Sequence, residues 1–320
     1  MYGKDVVMDY VLMTPVRNEQ DNLPIVARSV VNQTQIPRLW LIVNDGSTDG
    51  TEEIIQELES THSWIASLSL PLSSGGHGLH LAEVFRYGFV QLQSMAQERG
   101  IAYDLIGKVD ADVFFDASCF PRLIREFEKD ESLGIASPRL VYSNILDPEG
   151  GPRRMEGPDL ALSDHPTDGV RLYRRRCFEE IGGMRSVRAC ETVAEAAAMM
   201  NGWKLHRFVH IYAGISRRVH ESSSLWARWM VAGSESHYLG YNPLHVLGRF
   251  CFELIFDRPR YRSLAYGWGY IKSCIVRQPR IEDAEIRHYF RYQRPREVAR
   301  QLPELARKAF AHRERQRCGE

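Results

Sequence analysis

Short apolar runs alternate with amphipathic helical patterns along the first half of this 320-residue chain. This alternation predicts a largely parallel sheet covered by helices on both faces, because parallel strands need long crossover connections that are usually helical. The apolar runs are Val11 to Thr14, Leu39 to Val43, Ala66 to Leu70 and Tyr103 to Val109; the helical patterns are Leu23 to Asn32, Thr51 to Ser60, Leu81 to Arg99 and Phe120 to Lys129.

Polar motifs directly follow three of these predicted strands, with the sequences TPVRNE, NDGSTDG and DAD. Open α/β sheets bind ligands in the crevice beyond the carboxyl ends of their strands, so the motifs predict one site at one edge of the sheet. Asp45 stands at a strand end, where a carboxylate is best explained by a role in binding a ligand. Asp49 and Thr51 instead have the pattern of a turn that starts a helix.

Asp110 and Asp112 stand two positions apart behind a buried run. On an extended segment such side chains point to the same side, so both carboxylates are expected to converge on one ligand. Carboxylates suit Mg²⁺ or Mn²⁺, which complete their coordination with water and phosphate oxygens. The alternative is a solvated aspartate pair at a strand exit. Lys108 either points to the opposite face and is structural, or assists the phosphates, and His80 and Arg86 are further candidates for that task.

Charge and composition exclude several classes of protein. A formal net charge of +0 and a pI of about 7.2 argue against a dedicated nucleic-acid binder. The N-terminal residues lack the pattern of a secretory signal, and no window has the roughly 20 uninterrupted apolar residues of a spanning helix. The six cysteines form no C-x-x-C pair, which fits reduced thiols. These features predict a cytoplasmic protein.

The pattern changes twice in the second half. Between Arg139 and Arg171 regular patterning gives way to Pro, Gly and Asp, which predicts a long functional loop or a mobile segment. Beyond about Ser222 the sequence has aromatic and basic helical patterns without strand signals. We therefore predict an α/β domain at residues 1–221 and a helical C-terminal extension at residues 222–320.

Four segments in combination resemble the family 2 glycosyltransferases of the GT-A fold. They are TPVRNEQDNL, LIVNDGSTDGT, LIGKVDADVFF and CETVAEAAAMMNGWK, and the similarity extends over roughly Val11 to Gly240. The resemblance implies a mostly parallel sheet flanked by helices, and an inverting sugar transfer from a nucleoside diphosphate sugar to a hydroxyl acceptor with Mg²⁺ or Mn²⁺. The acceptor would be either soluble or carried on a polyprenyl lipid, as in glycan or polysaccharide biosynthesis.

The family pattern also implies which residues hold the donor. Asp110 would contact the ribose or metal-bound water, and Asp112 would ligate the cation that bridges the diphosphate. The residues implied for the base and ribose are Pro15, Arg17, Glu19 and Asp45.

An inverting transfer requires a base that takes the proton from the attacking hydroxyl. In the family this base is an acidic residue at a helix start, about eleven residues before a glycine, and the match here is Glu191 before Gly202. Glu replaces the usual Asp and Cys190 the usual Trp, so the acceptor pocket is expected to differ. Glu191 could alternatively be a helix-start carboxylate favoured by the helix dipole. Glu195 is expected to be an exposed helix residue.

Three later residues complete the predicted site. Family members sometimes add a histidine to the metal shell, and His220 is the candidate, although a lone histidine is more often structural. Leu225-x-x-Arg228-Trp229 resembles the Q-x-x-R-W motif of processive synthases but lacks the Gln and their membrane helices. Arg228 is expected to face the diphosphate and Trp229 the acceptor, with a buried helix tryptophan as the alternative.

The C-terminal helical patterns mix Trp, Tyr and Phe with Arg at Tyr261 to Tyr270 and at Arg287 to Arg296. Basic amphipathic helices lie on anionic membrane surfaces, which would place the protein peripherally at the inner face of the membrane. The alternative is a solvated helical cap on the first domain.

Two other functions fit parts of the sequence. DADVF also fits the D-x-D-x-V motif of haloacid dehalogenase phosphatases, but the Ser/Thr, Lys and acidic pair that should follow in order are not evident. A noncatalytic sugar-nucleotide-binding protein would tolerate the loss of Glu191 or Asp112, and both are present.

Overall fold

The computed structural model describes residues 8–70, 77–142, 165–216, 225–256 and 259–300, together with residues 302, 303 and 307. The chain divides into two compact units. The first comprises Met1–Glu156 and Asp164–Arg218, and the second comprises Gly157–Ser163 and Val219–Glu320. The domain boundary expected near Ser222 stays a prediction.

The first half of the first unit alternates strands and helices as expected. The central strands β1 and β2 are buried along almost their whole length, which explains their continuous apolar runs. The elements are β1 (Tyr10–Val16), α1 (Leu23–Val31), β2 (Leu39–Asp45), α2 (Thr51–Thr61), β3 (Ile65–Leu70), α3 (His77–Glu98) and β4 (Leu105–Val109).

The remaining elements complete an eight-stranded sheet with the order β3-β2-β1-β4-β7-β6-β8-β5. The sheet is mostly parallel, and β5 and β7 run antiparallel to their neighbours. The elements are β5 (Val113–Phe115), α4 (Cys119–Lys129), β6 (Leu133–Tyr142), β7 (Val170–Arg174), α5 (Arg175–Glu180), α6 (Cys190–Met200) and β8 (Lys204–Ile215).

The expectation of irregular structure from Arg139 onwards is wrong at its start. Strand β6 continues to Tyr142 because Arg139 to Tyr142 pair with the end of β8, from Tyr212 to Ile215. This pairing joins segments far apart in sequence, which a local pattern does not reveal. Most of the remaining expected loop, residues 143–164, lies outside the described residues.

The segment that carries Asp110 and Asp112 is a turn between β4 and β5, not the extended strand expected from the sequence. The amide of Val113 donates a hydrogen bond to the carbonyl oxygen of Asp110 at 3.1 Å. The two carboxylates are nevertheless close enough for the charge of Asp112 to raise the pKa of Asp110, although burial raises it more. The turn, not strand alternation, therefore brings the pair together.

The described residues of the second unit form helices and their connections. These are α7 (Leu225–Tyr238), α8 (Pro243–Phe256), α9 (Tyr261–Ile275), α10 (Ala284–His288) and a π-helix (Tyr289–Gln293). Within the described parts of the chain, no helix has the length and hydropathy that a membrane span requires.

Glycines allow α7 and α9 to pack backbone against backbone. A Cβ atom added at Gly233 of α7 would lie 2.0 Å from the carbonyl oxygen of Tyr266, and one added at Gly269 of α9 would lie 2.1 Å from that of Met230. Neither position can accept a side chain without separating the helices, so the packing requires glycine at both.

Candidate active site

The loops after β1 and β2 lie together at one edge of the sheet and are joined by hydrogen bonds. Asn18 has a left-handed backbone conformation, with φ of 54°, and its side-chain oxygen accepts a hydrogen bond from the amide of Thr48 at 2.8 Å. The amide of Glu19 donates to the hydroxyl of Thr51 at 2.8 Å. Asp49 accepts from the amide and hydroxyl of Thr51, which confirms the turn expected there.

Asp45 is buried at the end of β2 and faces two basic side chains. Arg17 lies 3.3 Å from its Oδ2 atom, and Nε2 of His80 lies 2.8 Å from the same atom. A carboxylate has about four lone-pair sites, so Asp45 can accept further hydrogen bonds from a ligand. Arg17 and Asp45 are thus brought together as expected, and His80 joins them from the start of α3.

Lys108 connects the carboxylates of two motifs that are far apart in sequence. Its Nζ atom lies 2.8 Å from Oδ1 of Asp110 and 3.1 Å from Oε1 of Glu191. The lysine side chain is buried on β4, and Glu191 stands in the first turn of α6. Lys108 therefore points toward Asp110, and the alternative that it faces away from the site is wrong.

Arg171 is a second buried cation in the same cluster. It stands directly opposite Lys108 in the register of β4 and β7, where two like charges would repel each other. Its guanidinium lies 2.8 Å from Glu195, 2.7 Å from Asp168 and 3.4 Å from Glu191. The carboxylates offset the repulsion between the two cations.

Glu195 is buried in this cluster, so the expectation that it is an exposed helix residue is wrong. It lies one turn after Glu191 on α6, and its Oε2 atom is 3.3 Å from Nδ1 of His165. Burial alone would raise the pKa of Glu195, but Arg171 and His165 lower it. A charged side chain can occupy this interior position because it is paired.

Electrostatic interactions favour the charged forms of Glu191, Lys108 and Arg171. Burial alone would raise the pKa of Glu191, but Lys108 and Arg171 outweigh it and lower that pKa. Burial alone would lower the pKa of each cation, but the surrounding carboxylates raise both above their ordinary values. Repulsion from Glu191 raises the pKa of Asp168 to about 6, although 76% of the Asp168 side chain is exposed to solvent.

The charges of the cluster fit a bound cation. Lys108 and Arg171 face four carboxylates, so two negative charges are in excess when all are ionised. Asp110 is 34% exposed, which leaves it open to a ligand. Among the described residues, no three metal-binding side chains gather in one group. Mg²⁺ and similar cations commonly use one or two carboxylates plus substrate phosphates, so the Asp110–Asp112 pair fits such an ion.

The other predicted site residues have the following positions. Pro15 is half-buried within β1, and the side chain of buried Glu19 accepts a hydrogen bond from Asn22 at 2.8 Å. The backbone carbonyl of Asp112 accepts from the amide of Ser216 at 2.9 Å. His220 lies outside the described residues.

Arg228 and Trp229 belong to α7 of the second unit, so their expected roles stay predictions. Trp229 is partly buried against Val246, Tyr266 and Tyr270.

Four side chains of the site were missed or underrated in the sequence. Lys108 could have been found by strand alternation, since it precedes Asp110 by two residues. His80 gave only a weak signal. Arg171 gave none, because its role depends on the pairing of β4 with β7. Glu195 gave none because its partners, Arg171 and His165, are remote in sequence. Arg86, the remaining candidate for phosphate binding, donates a hydrogen bond to Ser186 at 3.0 Å.

Comparison with known proteins adds a family and a set of similar folds. The family model for "Glycosyl transferase family 2" matches residues 11–222. No curated protein is significantly similar in sequence to this chain. Many solved structures are similar, and three with TM-scores above 0.5 are informative.

The mannosyltransferase PcManGT from Pyrobaculum calidifontis, in complex with GDP-Man and Mn²⁺, has 14% identity and a TM-score of 0.52, with 96% of this chain and 89% of that chain covered. S. aureus TarS 1-349 with UDP-GlcNAc has 14% identity and a TM-score of 0.51, with 98% and 93% covered. GalNAc-T7 with UDP, GalNAc and Mn²⁺ has 12% identity and a TM-score of 0.53, with 94% and 58% covered. Similarity at these identities shows the fold alone.

Proposed function

Since this chain belongs to glycosyl transferase family 2, we propose that it transfers a sugar with inversion from a nucleoside diphosphate sugar to a hydroxyl acceptor, using a divalent cation. The family makes the protein a glycosyltransferase with a nucleotide sugar donor, and its sheet and helices form the expected GT-A type of fold. The family assignment replaces the two other interpretations of the sequence, a haloacid dehalogenase phosphatase and a noncatalytic sugar-nucleotide-binding protein.

The contact of Lys108 with both Asp110 and Glu191 carries the proposal. A transfer enzyme must hold the donor diphosphate and the acceptor hydroxyl within bonding distance of one carbon atom. One lysine side chain here joins the carboxylate assigned to the donor to the carboxylate assigned to the acceptor. In this proposal the two parts of the reaction are adjacent.

Glu191 serves as the base in this proposal. The acceptor oxygen attacks the anomeric carbon, the bond from that carbon to the diphosphate oxygen breaks, and the hydroxyl proton passes to the Glu191 carboxylate. Lys108 and Arg171 keep Glu191 ionised and hold its position. A lowered pKa makes Glu191 a weaker base but ensures that it is deprotonated at neutral pH.

Asp110 and Asp112 would hold the divalent cation, as their charge and exposure permit. When bound, such an ion stabilises the negative charge that develops on the leaving diphosphate. Asp45, Arg17, Glu19 and Pro15 would contact the nucleoside from the loops after β1 and β2. The structure of PcManGT contains GDP-Man with Mn²⁺, which supports this class of donor and ion for the present chain.

The acceptor is proposed only as a hydroxyl compound. Whether it is soluble or carried on a polyprenyl lipid stays a prediction, as do the roles of Arg228 and Trp229. Transfer assays with matched soluble and lipid-linked acceptors distinguish the two cases.

Thermal unfolding with UDP, GDP, CDP and dTDP, each with Mn²⁺ or EDTA, tests the donor assignment. A ligand present at about 100 times its Kd stabilises the native state by about 2.7 kcal/mol, which raises the Tm by roughly 5–10 °C for a domain of this size. We expect one diphosphate to give such a shift with Mn²⁺ and a smaller one with EDTA. The absence of a shift with all four diphosphates would contradict the proposed donor class.

A further inference from the structure

The outer face of α9 exposes a continuous apolar stripe. Its five residues follow one another at intervals of three and four positions, and their exposure ranges from 39% to 69%. At 3.6 residues per turn, they occupy an arc of about 80° along the whole helix. The outer face consists of Tyr261, Leu264, Trp268, Ile271 and Ile275.

The opposite face of α9 is already occupied. Tyr266, Gly269 and Tyr270 are buried, and the backbone at Gly269 contacts α7 at Met230. The outer face is thus a second apolar surface of the same helix, separate from the one that packs in the second unit. Large exposed apolar patches of this kind mark interaction sites.

Helix α8 carries a similar exposed stripe at Leu244, Leu247, Cys251 and Ile255. The helix packs on α9 near Phe250, whose ring would lie 3.2 Å from a Cβ atom added at Gly267. Two neighbouring helices therefore expose apolar residues that have no place in the described core.

The segment that contains α9 has a net positive charge, although the whole chain is neutral. Residues 259–280 contain no Asp or Glu. Lys272 and Arg277 are exposed at the end of α9. The basic residues of this segment are Arg260, Arg262, Lys272, Arg277 and Arg280.

We propose that the outer face of α9 docks on an anionic lipid surface, with the helix lying in the plane of the membrane interface. Helices that bind in this way have Trp, Leu and similar residues on one face and Lys or Arg beside them. Trp and Tyr favour the headgroup region because their rings are apolar with one polar group. At 15 residues, α9 is too short to span a bilayer. The proposal is independent of the sugar-transfer chemistry.

Vesicle flotation of the full chain tests the proposal. The vesicles contain phosphatidylcholine alone, or phosphatidylcholine with phosphatidylglycerol. Ile271→Glu places a charge in the outer face, and Ile36→Glu is a matched control at a position of similar exposure, 44% against 50%, in the first unit. Both sites are exposed, so circular dichroism should show wild-type folding for both variants.

We expect wild type and Ile36→Glu to bind the vesicles that contain phosphatidylglycerol. Ile271→Glu should bind them about ten- to a hundredfold more weakly, because the buried apolar area is lost and a charge is added. Lys272→Gln should weaken binding about fivefold, and raised salt should weaken it further.

Three results would overturn the proposal. The first is wild-type protein that binds neither vesicle, and the second is equal binding by both isoleucine variants. The third is concentration-dependent dimerisation without lipid that Ile271→Glu abolishes, which would identify a second copy of the chain as the partner.

Discussion

Glu191→Gln is expected to separate sugar transfer from donor binding. The substitution keeps the shape of the side chain but removes its ability to accept the hydroxyl proton. Loss of a general base typically slows a reaction by about 10²- to 10⁴-fold, whereas donor affinity should stay close to that of wild type because other residues are proposed to contact the donor.

The ion pairs around Glu191 set the expected cost in stability. Lys108 retains Asp110 at 2.8 Å, and Arg171 retains Glu195 at 2.8 Å and Asp168 at 2.7 Å. Neither cation is left without a carboxylate, so we expect a loss of about 1–3 kcal/mol in the free energy of unfolding. A cation left buried and unpaired would cost about 3–5 kcal/mol.

Glu195→Gln is the matched control, because it removes a buried carboxylate from the same helix and the same arginine. Its stability loss should be similar, but its transfer rate should stay within a few-fold of wild type. The assay measures donor Kd by calorimetry and product formation on the same preparation, with Tm as a check of folding.

Three outcomes would refute the assignment of Glu191. Unimpaired transfer by Glu191→Gln would show that another group takes the proton. Equal loss of transfer in both variants would show that the charge of the cluster matters and that Glu191 has no special role. A parallel loss of donor binding would move Glu191 to the donor site.

Further predictions concern the metal, the nucleoside, pH and helix packing. Asp112→Ala should abolish the dependence of diphosphate binding on Mg²⁺ or Mn²⁺ in calorimetry; equal wild-type affinity with and without EDTA would contradict the metal role. Asp45→Ala should weaken diphosphate binding by about 1–3 kcal/mol even in EDTA, and unchanged affinity would mean that the base pocket lies elsewhere. Burial would raise the pKa of Glu191, but Lys108 and Arg171 lower it, so kcat/KM should keep its neutral-pH value as the pH falls to about 5. A fall in kcat/KM with a midpoint near pH 6, which shifts when Glu191 is replaced by Asp, would contradict this prediction. Gly269→Ala should lower thermal stability by about 1–3 kcal/mol or more, whereas Gly248→Ala, with open space around it, should be neutral or stabilising; similar effects would disprove the backbone contact.

The first half of the fold could be predicted because its pattern is local. Strands β1, β2 and β4 are buried on both faces and the helices between them are amphipathic, so apolar runs and helical periods alternate in the sequence. The motifs that end these strands were therefore placed correctly at one edge of the sheet.

The charged cluster could be predicted only in part. The sequence indicated Asp110, Asp112 and Glu191 through motifs, each of which is local. Arg171 joins them through antiparallel pairing between β4 and β7, whose paired residues are more than sixty positions apart in the sequence. Long-range pairing leaves no periodic signal, and the partners of buried Glu195, Arg171 and His165, are likewise remote in sequence.

The turn at Asp110 shows a second limit. Strand alternation predicted that the two aspartates lie close together, but the reason was wrong. The chain turns at this point, and the amide of Val113 donates a hydrogen bond to the carbonyl oxygen of Asp110. Two carboxylates can approach through either geometry, and the letters D-x-D do not distinguish them.

Because α7 and α9 are in direct backbone contact, the two sides of α9 differ in how freely their residues can be substituted. Gly233 and Gly269 admit no larger residue, so the inner side of α9 requires glycine at this contact. The outer residues from Tyr261 to Ile275 contact solvent, and their replacement leaves that glycine contact intact. Substitutions on the outer face can therefore change what this helix binds without changing how it packs against α7.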